Sequence, residues 1–392
     1  MIYLDYNATT PIDSRVLEVM GPYLTEIFGN PSSKTHAFGW DSEKAVTKAR
    51  ETIAHYIGAQ DSQSIIFTAG TTESNNMVLK GAFYSAENKP AHIITQKTEH
   101  GSILATCEFL ETLGAEITYL DVDDDGIVSP QALKAAIKDN TVLVSIMTAN
   151  NEIGTVQPIK ALAAITHAFE GVLFHTDAAQ SIGKIPTHVV NDDVDLYSFT
   201  AHKIYGPKGV GGLYISPKAR SKMVPLIHGG GHEFGLRSGT HNVAGIVGLA
   251  KSIEICCSNL EVEAFQHIKL RDYIIQEITS NVDHVVLNGH PTQRLPSNVN
   301  LSIRFISATD LIAALPHIAF STSSACSSNS TKPSHVIMML AGDEERAKSS
   351  IRLSVGRFTS QEEVAKATTD IITAIKTLRE KSLEYEMFKK QK

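Results

Sequence analysis

The chain has 392 residues, of which 42% are hydrophobic and 20% charged, and its formal net charge is -7. A chain of this length can form two domains with substantial cores, and its composition is that of an ordinary globular protein. The negative charge argues against broad binding of nucleic acids or membrane surfaces. No apolar run approaches the roughly 20 residues of a membrane span.

Cysteine content and the first residues indicate the compartment. Residues 1–5 form a strand-like, acidic start, which is not the pattern of a signal peptide. The four cysteines are Cys107, Cys256, Cys257 and Cys326. So few in a long chain indicate a reducing compartment and not a disulfide framework. We therefore expect a cytoplasmic protein without a membrane anchor.

The N-terminal part combines an extended segment, a loop and one long helix. Residues 3–11 are a short extended segment that ends in turn residues, and residues 28–33 are a loop. Helical periodicity predicts a helix over 43–57, with Asp41 or Ser42 as its N-cap and Gly58 as its terminator.

From Ser64 onward, predicted strands alternate with predicted helices. The strands cover residues 65–68, 92–95, 116–120, 142–147, 172–176 and 194–199, and the helices cover residues 73–86, 103–113 and 160–169. This alternation predicts an α/β protein with a mainly parallel sheet and helices on both faces. Ligands of such sheets bind at the carboxyl ends of the strands.

The pattern changes near Ile246. Long helices are predicted over 247–260 and 263–278, followed by short strands at 299–303, 318–321 and 351–355. A capping box at 360–363 opens a last helix that runs to about Lys381. We expect a large domain over 14–260 and a smaller α/β domain formed by 1–13 and 261–392.

Two polar side chains follow buried strands in the large domain. Asp177 closes the strand at 172–176, and Lys203 follows the strand at 194–199. A single lysine after a strand is more often a surface residue. A lysine amine that can attack an aldehyde, paired with a carboxylate that keeps a pyridine nitrogen protonated, is however what pyridoxal 5′-phosphate (PLP) requires. The pair therefore favours a PLP site.

A second motif, at 68–73, joins a strand to a helix through Gly70. The backbone N–H groups of that helix start and the hydroxyls of Thr71 and Thr72 can form a phosphate cradle. Turns of this kind are also common caps without a ligand. Because PLP carries a phosphate, a PLP site favours the interpretation of this turn as a phosphate-binding cradle.

The spacing Asp177-x-x-Gln180 with Ser198-x-x-x-His202-Lys203 resembles the class V aminotransferase group of PLP enzymes. Within that group the chain is similar to the group I cysteine desulfurases, from Tyr3 to about Phe388. The resemblance implies PLP-dependent transferase fold type I and a homodimer with shared active sites. It also implies a sulfur donor for acceptor proteins. From the net charge, no direct binding of nucleic acid is expected.

The resemblance assigns cofactor roles by position. Thr72, Thr200 and His202 would hold the phosphate, with Thr240 reaching the phosphate of the neighbouring subunit. His100 would stack on the ring and assist proton transfer, Gln180 would bond the phenolic oxygen, and Asn151 would touch both cofactor and substrate. The implied cofactor residues are Thr71, Thr72, His100, Asn151, Asp177, Gln180, Thr200, His202, Lys203 and Thr240.

Cys326 lies in a polar loop of small residues, 321–330. A thiol in such a loop can ionise and enter a pocket, whereas Cys107, Cys256 and Cys257 lie in apolar helical patterns. By resemblance Cys326 takes the sulfur of L-cysteine as a persulfide, Lys203 removes the Cα proton, and Arg352 binds the substrate carboxylate. Ser323 stands where that loop usually has glycine.

Metal binding is not expected. The spacing of His228 and His232 suits a metal only on a helix, and three glycines between them do not favour a helix. Cys326 could ligate a transient iron–sulfur cluster.

Two other functions share the fold. A class V aminotransferase or another PLP lyase would not need Cys326, and a non-catalytic protein could retain PLP without turnover. The acceptor pathway also stays open: iron–sulfur clusters, tRNA thiolation, nitrogenase maturation or DNA phosphorothioation. The chain stops at Lys392, short of the longer tail with which housekeeping members dock the iron–sulfur scaffold, which weakens the expectation of general cluster assembly without choosing among the other pathways.

Overall fold

A computed structural model describes residues 1–87, 90–322 and 333–391. The strands are β1 Ile2–Tyr3, β2 Ile65–Thr68, β3 His92–Gln96, β4 Glu116–Leu120, β5 Thr141–Ser145, β6 Leu173–Asp177, β7 Leu196–Thr200, β8 Gly211–Ile215, β9 Val285–Leu287, β10 Asn298–Ile303, β11 Ile318–Ala319, β12 Ser321–Thr322 and β13 Ser350–Ser354.

The α-helices are α1 Ser14–Met20, α2 Pro22–Thr25, α3 Ala37–Ile57, α4 Thr71–Ser85, α5 Gly101–Thr112, α6 Pro130–Ala136, α7 Ile159–His167, α8 Pro217–Arg220, α9 Val243–Ser258, α10 Leu260–Asn281, α11 Ala308–Ala314, α12 His335–Ala341, α13 Glu344–Lys348, α14 Gln361–Glu380 and α15 Leu383–Gln391. Short 3₁₀ turns occur at Ser62–Ser64, Ala201–Lys203 and Glu233–Gly235.

A large central sheet has the strand order β2-β8-β7-β6-β5-β3-β4. The pairs from β7 to β4 are parallel, and β8 is antiparallel to both of its neighbours. The prediction of an α/β fold with a mainly parallel sheet is confirmed. The strand β8 was not predicted, because it opens with two glycines.

Close packing explains those two glycines. A Cβ on Gly211 would lie 2.5 Å from the carbonyl oxygen of Phe199, and a Cβ on Gly212 would lie 2.4 Å from the Phe199 ring. The Gly211 position would also crowd the Cα of Gly70 at 2.7 Å. Glycine at these positions lets the Gly70 turn approach the sheet where β7 ends.

Successive residues of the central strands face opposite layers of helices. Ile93, Leu143 and Leu173 belong to a buried cluster with α4 and α5. Their neighbours Ile94, Val144 and Phe174 belong to a second cluster with α3, α7 and α9. Burial on both faces is the reason that these strands read as continuous apolar runs.

The C-terminal part forms a smaller antiparallel sheet of order β12-β13-β10-β9. Residues of this sheet share a buried cluster with α10, α11 and α14. The N-terminal β1 pairs in parallel with β11, so the first residues of the chain pack with the last third. The proposed boundaries at 13 and 260 stay a prediction.

Several predicted bounds shift. The first long helix begins at Ala37, because His36 Nδ1 accepts the Gly39 N–H, so the predicted N-cap at Asp41 or Ser42 was wrong. Gly58 ends that helix with φ 72°, as predicted. The predicted strand at 318–321 is instead the two short strands β11 and β12, which belong to different sheets. The capping box at Ser360 is confirmed.

One arginine ties the smaller sheet region to the large one. Arg357 lies 2.7 Å from Asp13 and 2.7 Å from Glu263 in two ion pairs. Its guanidinium lies 4.1 Å from the ring centroid of Tyr205, two residues after Lys203. This contact fixes the segment that follows β7.

Within the described ranges, no single helix is both long and apolar enough to cross a membrane, and only α9 and α10 taken together, with a 73° bend between them, reach that length and composition.

A buried histidine in β6 predicts a measurable acid sensitivity. His175 is fully buried between Ser145 Oγ and Ser198 Oγ, at 2.8 and 2.9 Å, and burial lowers its pKa to about 3. The unfolded chain therefore binds a proton below pH ~6.5 that the folded chain binds only near pH 3. The free energy of unfolding should fall with decreasing pH across this window, by ~1.4 kcal/mol per unit from this residue.

Urea unfolding of His175→Gln between pH 6 and 4 should therefore show a shallower pH dependence than that of the parent protein. His188→Gln, which replaces an exposed histidine, serves as the matched control. Equal slopes for His175→Gln and the parent would contradict the assignment.

Candidate active site

A cavity of about 590 Å³ opens where the carboxyl ends of β6 and β7 face the start of α4. Sheets of this class bind ligands at this edge. The cavity is lined by the predicted residues Thr71, Thr72, His100, Asn151, Asp177, Gln180, Thr200, His202 and Lys203. The fold thus brings together side chains that lie far apart in the sequence.

The start of α4 forms a donor-rich end of the cavity. Gly70 precedes the helix with φ 152° and supplies no side-chain cap, so the first N–H groups are not covered by a side-chain oxygen. Thr71 Oγ1 is buried and has no hydrogen-bond partner among the described residues. Thr200 Oγ1 lies beside this turn, 3.7 Å from where a Cβ of Gly70 would be. An uncapped helix start with an unsatisfied buried hydroxyl fits a phosphate group.

His202 is a neutral ring at the same end. Its Nδ1 lies 3.2 Å from Thr9 Oγ1. Burial, followed by the positive charges of Lys203 and Lys208, lowers the pKa of His202 to about 4. Near pH 7 the ring therefore carries one N–H and no charge, so it can act as a hydrogen-bond donor.

Asp177 is the last residue of β6 and is buried. Its Oδ2 accepts a hydrogen bond from Asn75 Nδ2 at 2.8 Å, and its Oδ1 accepts one from Ala179 N at 2.9 Å. Burial, followed by the negative charge of Asp177, raises the pKa of Glu99 well above its usual range. This shift disfavours a second negative charge beside Asp177.

Lys203 closes the 3₁₀ turn that follows β7. Its Nζ donates to the carbonyl oxygens of Asn7 and Ala8, at 2.6 and 2.7 Å. The N-terminal segment therefore holds the amine at the edge of the cavity. The prediction that Asp177 and Lys203 lie at the carboxyl ends of strands is confirmed, and the structure shows that these strands, β6 and β7, are neighbours.

His100 caps α5 and presents a defined ring face. The backbone N–H of Ser102 donates to His100 Nδ1 at 3.1 Å. A neutral ring that accepts at Nδ1 carries its proton on Nε2. His100 therefore has a fixed tautomer when neutral, as a ring that stacks and passes protons requires.

Two of the predicted residues that the structure describes are not among those that line the cavity. Arg352 is 1% exposed, lies 2.8 Å from Asp5 Oδ1 and donates to the carbonyl oxygen of Asn151 at 3.0 Å. It thus lies behind Asn151. Thr240 is exposed and lines a separate cavity of about 220 Å³ that also includes Phe28.

Cys326 and Ser323 lie outside the described residues. The chain before them ends at β12, where Ser321 pairs with Arg352. The chain after them resumes at Pro333, and Ser334 Oγ donates to Glu152 Oε2 at 2.5 Å. Both flanks are therefore attached next to the Asn151 side of the cavity.

Some contacts of the site were missed at the level of sequence. Asn75 holds Asp177, and it lies one helical turn after Thr71, so its face of α4 could have been inferred from the 3.6-residue period. Asn7 lies in the extended segment at 3–11, and nothing local indicates that its carbonyl bonds Lys203.

The sheet and the cavity are those of an α/β enzyme of PLP fold type I, and the chain belongs to the aminotransferase class-V family, whose model matches residues 2–366. Within that family its relatives are cysteine desulfurases. The chain is 46% identical over 388 residues to the cysteine desulfurase IscS of Anaeromyxobacter sp. (strain Fw109-5), covering 99% of this chain and 96% of that protein.

Solved structures agree. A structure described as a NIFS-like protein is 36% identical, with a TM-score of 0.89 over 96% of this chain and 99% of that chain. One described as SspA in complex with cysteine is also 36% identical, with a TM-score of 0.81 over 92% of this chain and 100% of that one.

The unsatisfied hydroxyl of Thr71 predicts opposite effects on stability and on ligand binding. In Thr71→Val, the cofactor-free protein should be at least as stable as the parent, because a buried hydroxyl without a partner is removed. The dissociation constant of PLP should rise by about tenfold through loss of one hydrogen bond to phosphate. Thermal unfolding and an absorbance titration measure the two quantities.

Thr166→Val is the matched control, because the buried Thr166 hydroxyl donates to Leu162 O at 2.9 Å within α7. It should lose stability by ~1 kcal/mol without changing PLP affinity. Unchanged PLP binding in Thr71→Val would refute the role of the hydroxyl.

Proposed function

We propose that the chain is a PLP-dependent cysteine desulfurase that converts L-cysteine to L-alanine. The sulfur atom of the substrate passes to the Cys326 thiol, which becomes a persulfide, so one thiol and one cysteine give one persulfide and one alanine. The single observation that carries the proposal is that Lys203, Asp177 and the uncapped start of α4 line the same cavity. Membership of the family supports it.

Different residues of the cavity would bind different parts of the cofactor. Thr71, Thr72 and Thr200 would bind the phosphate together with the neutral His202, and the Asp177 carboxylate would face the pyridine nitrogen. Asn75 orients Asp177 through its 2.8 Å hydrogen bond. His100 would lie against the flat face of the ring and Gln180 beside its phenolic oxygen. Every one of these groups except Asn75 lines the cavity.

PLP, when bound, supplies an electron sink for the charge left at Cα of the substrate. Lys203 is the base that takes the Cα proton, since its amine is held at the cavity edge by two backbone carbonyls. His100, which also lines the cavity, would assist proton transfer.

The substrate carboxylate would bind at the Asn151 end of the cavity. Asn151 lines the cavity, and Arg352 bonds its carbonyl from behind. Rearrangement of Arg352 from Asp5 toward the substrate would offer the bidentate contact that carboxylates favour. The structure described as SspA in complex with cysteine makes L-cysteine the first substrate to test.

The position of Cys326 along the chain supports its role at this end. It is four residues beyond Thr322, which allows at most ~14 Å of extended chain. Thr322 itself pairs with Ile351, next to Arg352. A thiolate from this position would attack the substrate sulfur, and the persulfide would then be carried to an acceptor protein.

We further propose a homodimer in which Thr240 serves the partner's cavity. Thr240 is exposed. Phe28, which is 68% exposed, lines the same small cavity, and Phe234, which is 49% exposed, precedes Thr240 by six residues. Such patches indicate a protein interface. Sedimentation of the purified protein as a monomer at micromolar concentration would overturn this proposal.

The sulfur acceptor is a separate question. Capture of acceptor proteins on a trapped Cys326 persulfide would identify the pathway that the protein supplies.

Two substitutions test the reaction. Lys203→Ala incubated with L-cysteine should release no alanine, because the base at Cα is missing. Cys326→Ser should keep the absorbance of bound PLP but form no persulfide. Alanine release and persulfide labelling are the measurements.

Cys257→Ser is the matched control for the thiol. Cys257 is partly buried on α9, and burial raises its pKa to about 11, so it is a poor thiolate and its loss should not affect persulfide formation. Normal alanine release by Lys203→Ala would eliminate the scheme. Turnover without any persulfide on Cys326 would instead indicate an aminotransferase or another lyase.

A further inference from the structure

A lysine without a role in the proposed reaction lies directly behind the cavity. Lys184 is partly buried and comes four residues after Gln180. It lines a second, smaller cavity whose wall also includes Lys203, Cys256 and His267. Since Lys203 lines both cavities, Lys184 lies on the far side of the proposed catalytic amine.

Lys184 contacts one of the residues that line the cofactor cavity, Gln180. Its Nζ donates a hydrogen bond to Gln180 Oε1 at 2.9 Å. An ammonium has three donors and no acceptor. The opposite orientation of the Gln180 amide would place its NH₂ group against another donor. As long as it is an ammonium, the lysine therefore fixes which end of the amide is oxygen and which is nitrogen.

That choice determines what Gln180 offers to the cavity. Its Nε2 donates to the carbonyl oxygen of Asn7 at 2.9 Å, the same oxygen that accepts from Lys203 Nζ at 2.6 Å. A primary amide has two N–H donors. With one of them on Asn7, one N–H remains, and Gln180 is among the residues that line the cavity.

We propose that Lys184 is a positioning residue, which holds the Gln180 amide so that it presents an N–H group, and not its oxygen, to the cofactor. An N–H donor suits the phenolic oxygen of the pyridine ring, whereas the amide oxygen would face it as a second acceptor. The inference rests on the proposed PLP site. It adds a role for a residue that touches neither cofactor nor substrate.

Lys184 also acts through its charge. Burial, followed by the positive charge of Lys203, lowers the pKa of Lys184 to about 7. Arg352 acts in the same direction and Cys256 in the opposite one. The other titratable groups of the second cavity are Tyr6, Tyr205, Glu263 and His267. The two amines repel each other whatever the orientation of Gln180, so a test must separate this effect from the hydrogen bond.

A double-mutant cycle separates them. The dissociation constant of PLP is measured by absorbance titration at about pH 6, where Lys184 is an ammonium, for the parent, Lys184→Met, Gln180→Met and the double variant. Lys184→Met and Gln180→Met should each weaken binding by about tenfold, because each removes the same oriented hydrogen bond. The double variant should bind no more weakly than either single variant. An effect of charge or of general packing would instead multiply with the loss of Gln180.

Conservative and neutral variants complete the set. Lys184→Arg retains a donor-only cation and should keep the dissociation constant within about threefold of the parent. Lys134→Met, at an exposed position on α6, controls for loss of a lysine and should leave it unchanged. If Lys184→Met does not fold, Lys184→Gln takes its place in the cycle. Its amide can both donate and accept, so it should also weaken binding.

The inference fails if Lys184→Met binds PLP as the parent does, or if the two single effects multiply in the double variant. These results differ from failure of the proposed function itself. In that case the parent protein would take up no PLP, and the cycle would show no binding in any of its four members.

Discussion

The parallel pairing of β6 and β7 is the constraint on which the site depends. Asp177 lies opposite Ser198 in this pair, and the N–H of Ala178 donates to the Ser198 carbonyl oxygen at 2.9 Å. Because neighbouring parallel strands end at the same edge, the short turn after Thr200 brings Lys203 to the side of the sheet where Asp177 ends. A shift of this register by one residue would turn Asp177 toward the opposite layer of helices.

A second set of contacts brings the end regions of the chain to that edge. The backbone N–H of Asn7 donates to Ser354 Oγ at 2.9 Å, and the Asn7 carbonyl accepts from Lys203. The N-terminal segment therefore connects β13 of the smaller sheet with the amine of the large one. Arg352, also in β13, reaches the Asn151 carbonyl. The two sheets thus meet at the cavity, where substrate, cofactor and the Cys326 segment would have to come together.

The sequence was sufficient for features that are local and periodic. Asp177 and Lys203 could be found because each follows an apolar run that had to be a buried strand, and Gly58 because a glycine after helical periodicity marks a helix end. The strand β8 was missed because glycine at position 211 is required by its close contact with Phe199. That contact exists only in the folded chain and cannot be inferred from the sequence. The residues that support the site, Asn75 and Lys184, were missed for the same reason, because they act through contacts that form only in the folded chain. Roles carried by resemblance, such as that of Thr240, depend on a second subunit and stay predictions.

The most direct measurement is to map the lysine that bonds PLP. Purified protein is loaded with PLP, reduced with borohydride, digested and analysed by mass spectrometry. The account predicts a phosphopyridoxyl group on Lys203 alone, and its loss in Lys203→Ala. Labelling of Lys184 or Lys208 in the parent protein, or no labelled lysine at all, would contradict it.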